Sequence, residues 1–243
     1  HKVHTIKGHH GKVTIPEIEL LVREHHFEHM VKPRAVYISQ ATEVGTIYSA
    51  DELRTLSDVC KKMNLLLYVD GARLGSALTA KTADLSLSEL SALVDVFYIG
   101  GTKNGALIGE AIVINNPALK DNFRYMMKQK GALLSKGRLL GIQFLELFHD
   151  NLFYELASHA NLMAEQLSDG ISRLGYTFQT NSYTNQIFPI LPRHVIENLI
   201  QEYGFYVWGE AGDNHSTVRL VTSWATTQQA VDSFLLALEN LSS

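Results

Sequence analysis

Residues 95–114 read DVFYIGGTKNGALIGEAIVI: two apolar runs of strand length joined by a glycine-rich turn that carries one cation, Lys103. Short continuous apolar runs bounded by glycine are what strands inside a covered sheet look like. Two readings of Lys103 stand at this point. It is a surface charge that falls in a turn, or an amine aimed into a cleft.

The sequence on either side repeats the pattern. LLLYVDGA (65–72) is a second apolar run and ends on Asp70; RAVYISQ (34–40) is a third and reads as a compact buried strand. Between them, SADELRTLSDVCKKMN (49–64) is an amphipathic helix, with Ser49 as N-cap and Glu52 three residues on in a capping-box pattern. TIPEIELLVREHHFEHM (14–30) is expected to be helical around Ile18, Leu21 and Val22, and KVHTIKG (2–8) to form a short strand before an HHGK turn. Apolar strands separated by helices predict an α/β fold: three layers, a mostly parallel sheet with helices on both faces. In such sheets the chemistry collects at the carboxyl ends of the strands, where Asp70 and the segment Gly100 to Lys103 both fall.

After Asn115-Asn116-Pro117 the sequence becomes largely helical, with breaks near Gly131 and Asp150, and it finishes as strand, helix, strand, strand, helix. This predicts a large domain over 1–150 and a small C-terminal α+β domain over 151–243. In REHHFEHM (23–30), His25 and His29 would share a helix face, but no third metal ligand accompanies them, so a solvated face is expected and no metal. The net charge of −4 provides no basic footprint for nucleic acid, and no apolar run reaches the ~18 residues that span a bilayer. Cys60, the single cysteine, has no internal partner, which fits a reducing, cytoplasmic setting. The chain begins at His1 without a methionine or signal-peptide pattern, and a piece of a longer product is expected.

A carboxylate at the end of an apolar strand is expensive to bury unless a donor meets it. Asp70 is therefore either the cap of a helix over GARLGSAL (71–78) or the partner of a protonated ring nitrogen. Lys103 would become a nucleophile if burial or a nearby cation lowered its pKa, with Thr102 offering a hydroxyl beside it and glycines allowing close approach of a flat cofactor.

With YVDGARLGSAL (68–78) followed by residues 94–114, the chain resembles the threonine aldolase and β-eliminating lyase group of fold-type-I pyridoxal-phosphate enzymes. GALLSKGRLLGIQF (131–144), TNQIFPIL (184–191) and VRLVTSW (218–224) extend the likeness. The resemblance implies pyridoxal 5'-phosphate as cofactor, with Lys103 carrying it covalently, Asp70 on its ring nitrogen, Thr102 at its phosphate, and Arg73 near its phenolic oxygen or the substrate carboxylate. Arg219 would pair with the α-carboxylate. Lys136 or Arg138 would stand near a phosphate, often a neighbouring subunit's. It also implies a homodimer or homotetramer acting on a small amino acid, cleaving a threonine-like β-hydroxy-α-amino acid to glycine and an aldehyde. β-Elimination or transamination at the same site is the alternative, as is a truncated chain without catalysis. Two departures stand out. Thr42 occupies about the position of a histidine found in well-known threonine aldolases, and the family's glycine-rich phosphate turn and ring-stacking residue lie upstream of His1.

Overall fold

The computed structural model describes residues 2–242. Helix α1 (Ile15–Glu24) follows Thr14, whose backbone N–H donates to Glu17 Oε2 at 3.2 Å. It stops sooner than expected. His25 leaves helical geometry and its Nδ1 lies 2.7 Å from the Leu21 carbonyl oxygen, so His25 and His29 share no helix face. His25 instead meets His4 edge to face at 4.1 Å, and no group of three metal-ligating side chains occurs among the described residues. Residues 2–8 form no strand; His9 and Lys12 make an isolated bridge that closes the HHGK turn.

Strands β1 (Ala35–Ser39), β2 (Leu66–Asp70), β3 (Val96–Gly100) and β4 (Glu110–Ile114) form one sheet in that order. β1, β2 and β3 are parallel, and β4 returns antiparallel to β3. Helix α2 (Ala50–Lys62) joins β1 to β2 and has the expected cap, Ser49 accepting from Glu52 N–H. Between β2 and β3 run α3 (Leu74–Leu78) and α4 (Leu87–Leu93). The sequence reading has no counterpart for α4, although Ser86 and Glu89 make a capping box there too.

Alternation along the strands sorts the side chains into two faces. Ile38, Leu67, Val69, Phe97 and Ile99 point one way and pack with Leu53, Leu56 and Cys60 of α2 and Leu90 of α4. The other face carries Tyr37, Tyr68, Tyr98 and Ile112, with Tyr37 58% and Ile112 50% exposed. The buried cluster thus covers one face of the sheet among the described residues. β1 is a sheet edge rather than a fully buried strand, and only Ile38 in it is buried.

Helices α5 (Phe123–Gln129), α6 (Arg138–Leu147) and α7 (Leu152–Arg173) follow, with Gly131 and Asp150 at positive φ in the breaks between them. The 22-residue α7 serves two cores: Phe153 belongs to the sheet's cluster, while Met163, Leu167 and Ile171 belong to a second. That second cluster is closed by β5 (Gln186–Ile187), β6 (Ile190–Pro192), α8 (Arg193–Leu199), β7 (Tyr206–Glu210), β8 (His215–Val221) and α9 (Gln228–Leu241). β8 is the hub of this sheet and pairs antiparallel with β5, β6 and β7. No helix among the described residues is long and apolar enough to cross a membrane.

Candidate active site

The ends of β2 and β3 meet because two glycines leave no side chain between them. A Cβ on Gly71 would stand 1.8 Å from the Tyr98 carbonyl oxygen, and one on Gly100 would stand 2.3 Å from that of Ala72. The Gly100 N–H donates to the Gly71 carbonyl at 2.9 Å across this contact. Gly71 and Gly100 therefore serve backbone against backbone. The result is that Asp70, the last residue of β2, and Lys103, on the single 3-10 turn Thr102–Asn104 after β3, come to one edge of the sheet.

Asp70 is met on both oxygens. Oδ1 accepts from the Tyr98 hydroxyl at 2.5 Å and from the Ala72 N–H at 3.0 Å, and Oδ2 accepts from the Tyr37 hydroxyl. Burial alone would push its carboxyl up. The two phenols, the Ala72 amide and the charge of Lys103 outweigh that and hold it below the usual carboxylate range. The capping alternative is realised only in part: Asp70 binds Ala72 N–H, but the N-cap of α3 is Arg73.

Lys103 is pushed the other way. Lys103 is exposed as a whole residue, but partial burial of its amine, then the neighbouring Arg73, lower it from the ordinary lysine value, against the pull of Glu43, Asp70 and Glu110. Arg73 is itself lowered by burial and by the charge of Arg219, and its Nε is buried with no hydrogen-bond partner in the protein. Arg219 sits on β8, its guanidinium 5.3 Å from the Trp208 ring and held by Gln186 Oε1, at 3.0 Å from Nε and 2.6 Å from a terminal nitrogen. Lys103, Arg73 and Arg219 thus form a run of cations, each within electrostatic reach of the next, that leads from the first sheet to the second.

Of the residues singled out in the sequence, the structure brings together Asp70, Arg73, Lys103 and Arg219. Thr102 precedes Lys103 on the same turn and is exposed. Lys136 and Arg138 are exposed at the start of α6. Thr42 is buried, its Oγ1 2.7 Å from Thr46 Oγ1 and accepting the Thr46 N–H at 3.1 Å, so its hydroxyl is committed to the turn 42–46. Sequence reasoning missed Tyr37, Tyr98, Glu43, Glu110 and Gln186. The tyrosines were within reach of it, since Tyr68 and Asp70 share a face by alternation and parallel pairing sets Tyr37 beside Tyr68. Glu43 and Glu110 become visible only as charges that act on Lys103. Burial pushes the Glu110 carboxyl up, although it accepts from the Gly101 N–H at 3.3 Å.

Comparison with known proteins gives this geometry a context. The beta-eliminating lyase family profile matches residues 1–192. A low specificity L-threonine aldolase of Pseudomonas aeruginosa is 37% identical over 227 residues, covering 91% of this chain and 63% of that protein. Another, from a Pseudomonas species, is 34% identical and covers 95% of this chain and 66% of its own length. The chain therefore spans just under two thirds of these curated relatives. A solved structure of Leishmania major threonine aldolase superposes with a TM-score of 0.98 at 45% identity, covering all of this chain and 71% of that one. With a profile that takes in most of its length, the chain belongs to the beta-eliminating lyase family.

Proposed function

We propose that the chain carries the site of a pyridoxal-phosphate-dependent aldolase that splits a threonine-like β-hydroxy-α-amino acid into glycine and an aldehyde. The observation that carries this reading is the juxtaposition of Lys103 and Asp70 at neighbouring strand ends, an amine eased toward neutrality beside a carboxylate held as the anion. The names of the relatives and the solved neighbour support it.

The residues fit the cofactor. Its ring nitrogen requires an anionic partner, and Asp70 remains one despite partial burial. Its aldehyde requires an amine, and its phenolic oxygen an N–H donor such as the buried Arg73 Nε, which has no protein acceptor. Lys103, Asp70, Arg73 and Thr102 would hold it, with Lys136 or Arg138 reaching the phosphate of a neighbouring copy in a homodimer or homotetramer. When bound, pyridoxal phosphate supplies an electron sink for the carbanion left when the Cα–Cβ bond breaks.

The chain's own residues decide which bond breaks. Arg219 grips the α-carboxylate, and its attachment to the second sheet sets the substrate's orientation relative to Lys103. Asp70 keeps the proton on the ring nitrogen. Removal of the β-hydroxyl proton falls to Glu43 or Glu110, the carboxylates whose charge reaches Lys103 along with Asp70, because the Thr42 hydroxyl is engaged by Thr46. We place the cofactor-binding part in residues 1–150 and the small α+β part in 151–243. A cytoplasmic location suits Cys60, buried and unpaired.

The test is direct. The purified chain is mixed with pyridoxal phosphate and its visible absorbance is followed, with Lys103→Ala as control, and glycine formation from threonine is then assayed. Yellow colour that borohydride bleaches while fixing the cofactor covalently to Lys103, together with glycine and acetaldehyde, is the expected result. A colourless chain, or pyruvate and ammonia from serine in place of glycine, overturns the aldolase reading.

A further inference from the structure

Gln186 is fully buried, with 0% exposure. A guanidinium has only donors, so the atom it meets must be the amide oxygen, which leaves Nε2 pointing its two N–H bonds elsewhere. That Nε2 has no hydrogen-bond partner in the protein. Leucine or methionine would fill the space without burying an unpaired donor, so packing alone does not explain a glutamine here. Nor does orientation of Arg219 alone, since a glutamate would hold the guanidinium at least as firmly. The same sheet does that elsewhere: Arg193 pairs with Glu210, a carboxylate on β7. Arg219 receives a neutral acceptor where Arg193 receives an anion.

We propose that Gln186 is a positioning residue for Arg219, an uncharged clamp that fixes the guanidinium beside Trp208 while leaving its positive charge for a substrate carboxylate. The inference rests on the role given to Arg219 above and deepens it. Neutrality is the point. A carboxylate at position 186 would aim the guanidinium and cancel it in the same stroke, whereas an apolar side chain would leave it charged and loose. The unpaired Nε2 adds donor character to the same neighbourhood, as does the unpaired Nε of Arg73, so the region offers hydrogen bonds to an incoming anion.

Trp208 reports on this contact. The chain has two tryptophans, so a Trp224→Phe background leaves Trp208 as the sole indole fluorophore. Its emission is titrated with L-threonine, and with L-threonine methyl ester as the probe that lacks a carboxylate, each with and without pyridoxal phosphate. The parent is expected to respond to L-threonine and not to the ester. Gln186→Glu should keep its Tm and lose at least about tenfold in affinity, the order of a lost charge-assisted contact. Gln186→Leu should bind more weakly as well, with an unchanged or raised Tm. In the cofactor-loaded chain both changes should raise the KM for threonine far more than they lower kcat. If Gln186→Leu does not fold, the glutamate variant decides alone, because it retains the acceptor. A Gln186→Glu chain that binds L-threonine like the parent overturns the proposal, as does a parent whose Trp208 ignores L-threonine. Neither result touches the colour test at Lys103; a chain that binds the carboxylate and stays colourless sinks the aldolase reading and leaves the clamp standing.

Discussion

Asp70 and Arg219 mark the two ends of one cluster, and the chain treats them in opposite ways. Asp70 is over-provided: two phenols and a backbone amide converge on a single carboxylate. Arg219 is under-provided, with one amide oxygen and an aromatic face for a charged fork of five N–H groups. Between them Arg73 has a buried Nε with no acceptor. An anion satisfied from within is locked in its ionised form and is ready to serve as a fixed counter-charge. A cation left short of acceptors is ready to receive one from outside. On the proposed reading the contrast would give the site a direction, with the ring nitrogen of a bound cofactor at the acid end and a substrate carboxylate at the arginine end.

The sharpest way to break the acid end is Asp70→Asn. The amide keeps the shape and loses the charge, so kcat for threonine cleavage in the cofactor-loaded chain should fall by about 10²- to 10³-fold, the scale of a lost electrostatic contact at a reacting centre. Cofactor colour should persist, since Lys103 is unchanged. A rate within a few-fold of the parent would remove Asp70 from the chemistry.

Next in size is Gly71→Ala. A methyl group 1.8 Å from the Tyr98 carbonyl oxygen has no flexible neighbour to displace, so β2 and β3 must separate at the ends that carry Asp70 and lead to Lys103. A loss of about 3 kcal/mol in denaturant unfolding is expected, the upper range for overpacking, along with weaker cofactor colour. Substitution at Gly131 should be milder, because nothing lies within 4 Å of a Cβ there, although its φ of +72° carries some strain.

Tyr98→Phe sharpens the comparison further. Removal of one phenolic donor should cost about 1–2 kcal/mol at neutral pH, the range for a hydrogen bond to a charged group that is partly exposed. Its signature is in the acid limb. Asp70 is depressed in the folded chain, so its stabilisation is present above the ordinary carboxylate pKa and is lost as pH falls through the lowered value. With Tyr98 gone the folded value rises toward the ordinary one, so the contribution is smaller and disappears at higher pH. Stability curves of the two chains measured from pH 7 down to pH 3 should converge as the acid is protonated in both.

How much of this was legible beforehand follows from what each feature depends on. The parallel strands, α2 with its Ser49–Glu52 box, and the breaks at Gly131 and Asp150 are local, and periodicity and capping display them. Asp70 and Lys103 were legible because a strand end is a place in the fold as well as in the sequence. Their closeness was not, because it depends on two backbones touching at Gly71 and Gly100. The end of α1 at Glu24 was hidden for a different reason: His25 competes with the helix through its own side chain, which periodicity does not register. Gln186 was invisible, since an amide in TNQIFPIL acquires meaning only once β5 pairs with β8, which sets it across from Val221 and within hydrogen-bond reach of Arg219 two residues along that strand.

The smallest expected effect returns to the choice between a surface charge and an amine in a cleft. Burial and Arg73 lower the pKa of Lys103, so below that lowered value the folded chain carries a charge it would rather shed. The unfolded chain holds the same proton up to about pH 10.4. Between the two values the unfolded state binds more protons, so stability rises with pH, and the penalty is gone above the upper one. Lys103→Met should therefore be slightly more stable than the parent at pH 7, and its advantage should shrink steadily as pH approaches 10. A paired surface lysine would behave in the opposite sense, with the methionine chain weaker at neutral pH. Thermal melts of both chains from pH 6 to pH 10 distinguish the two, and they do so without cofactor, substrate or turnover.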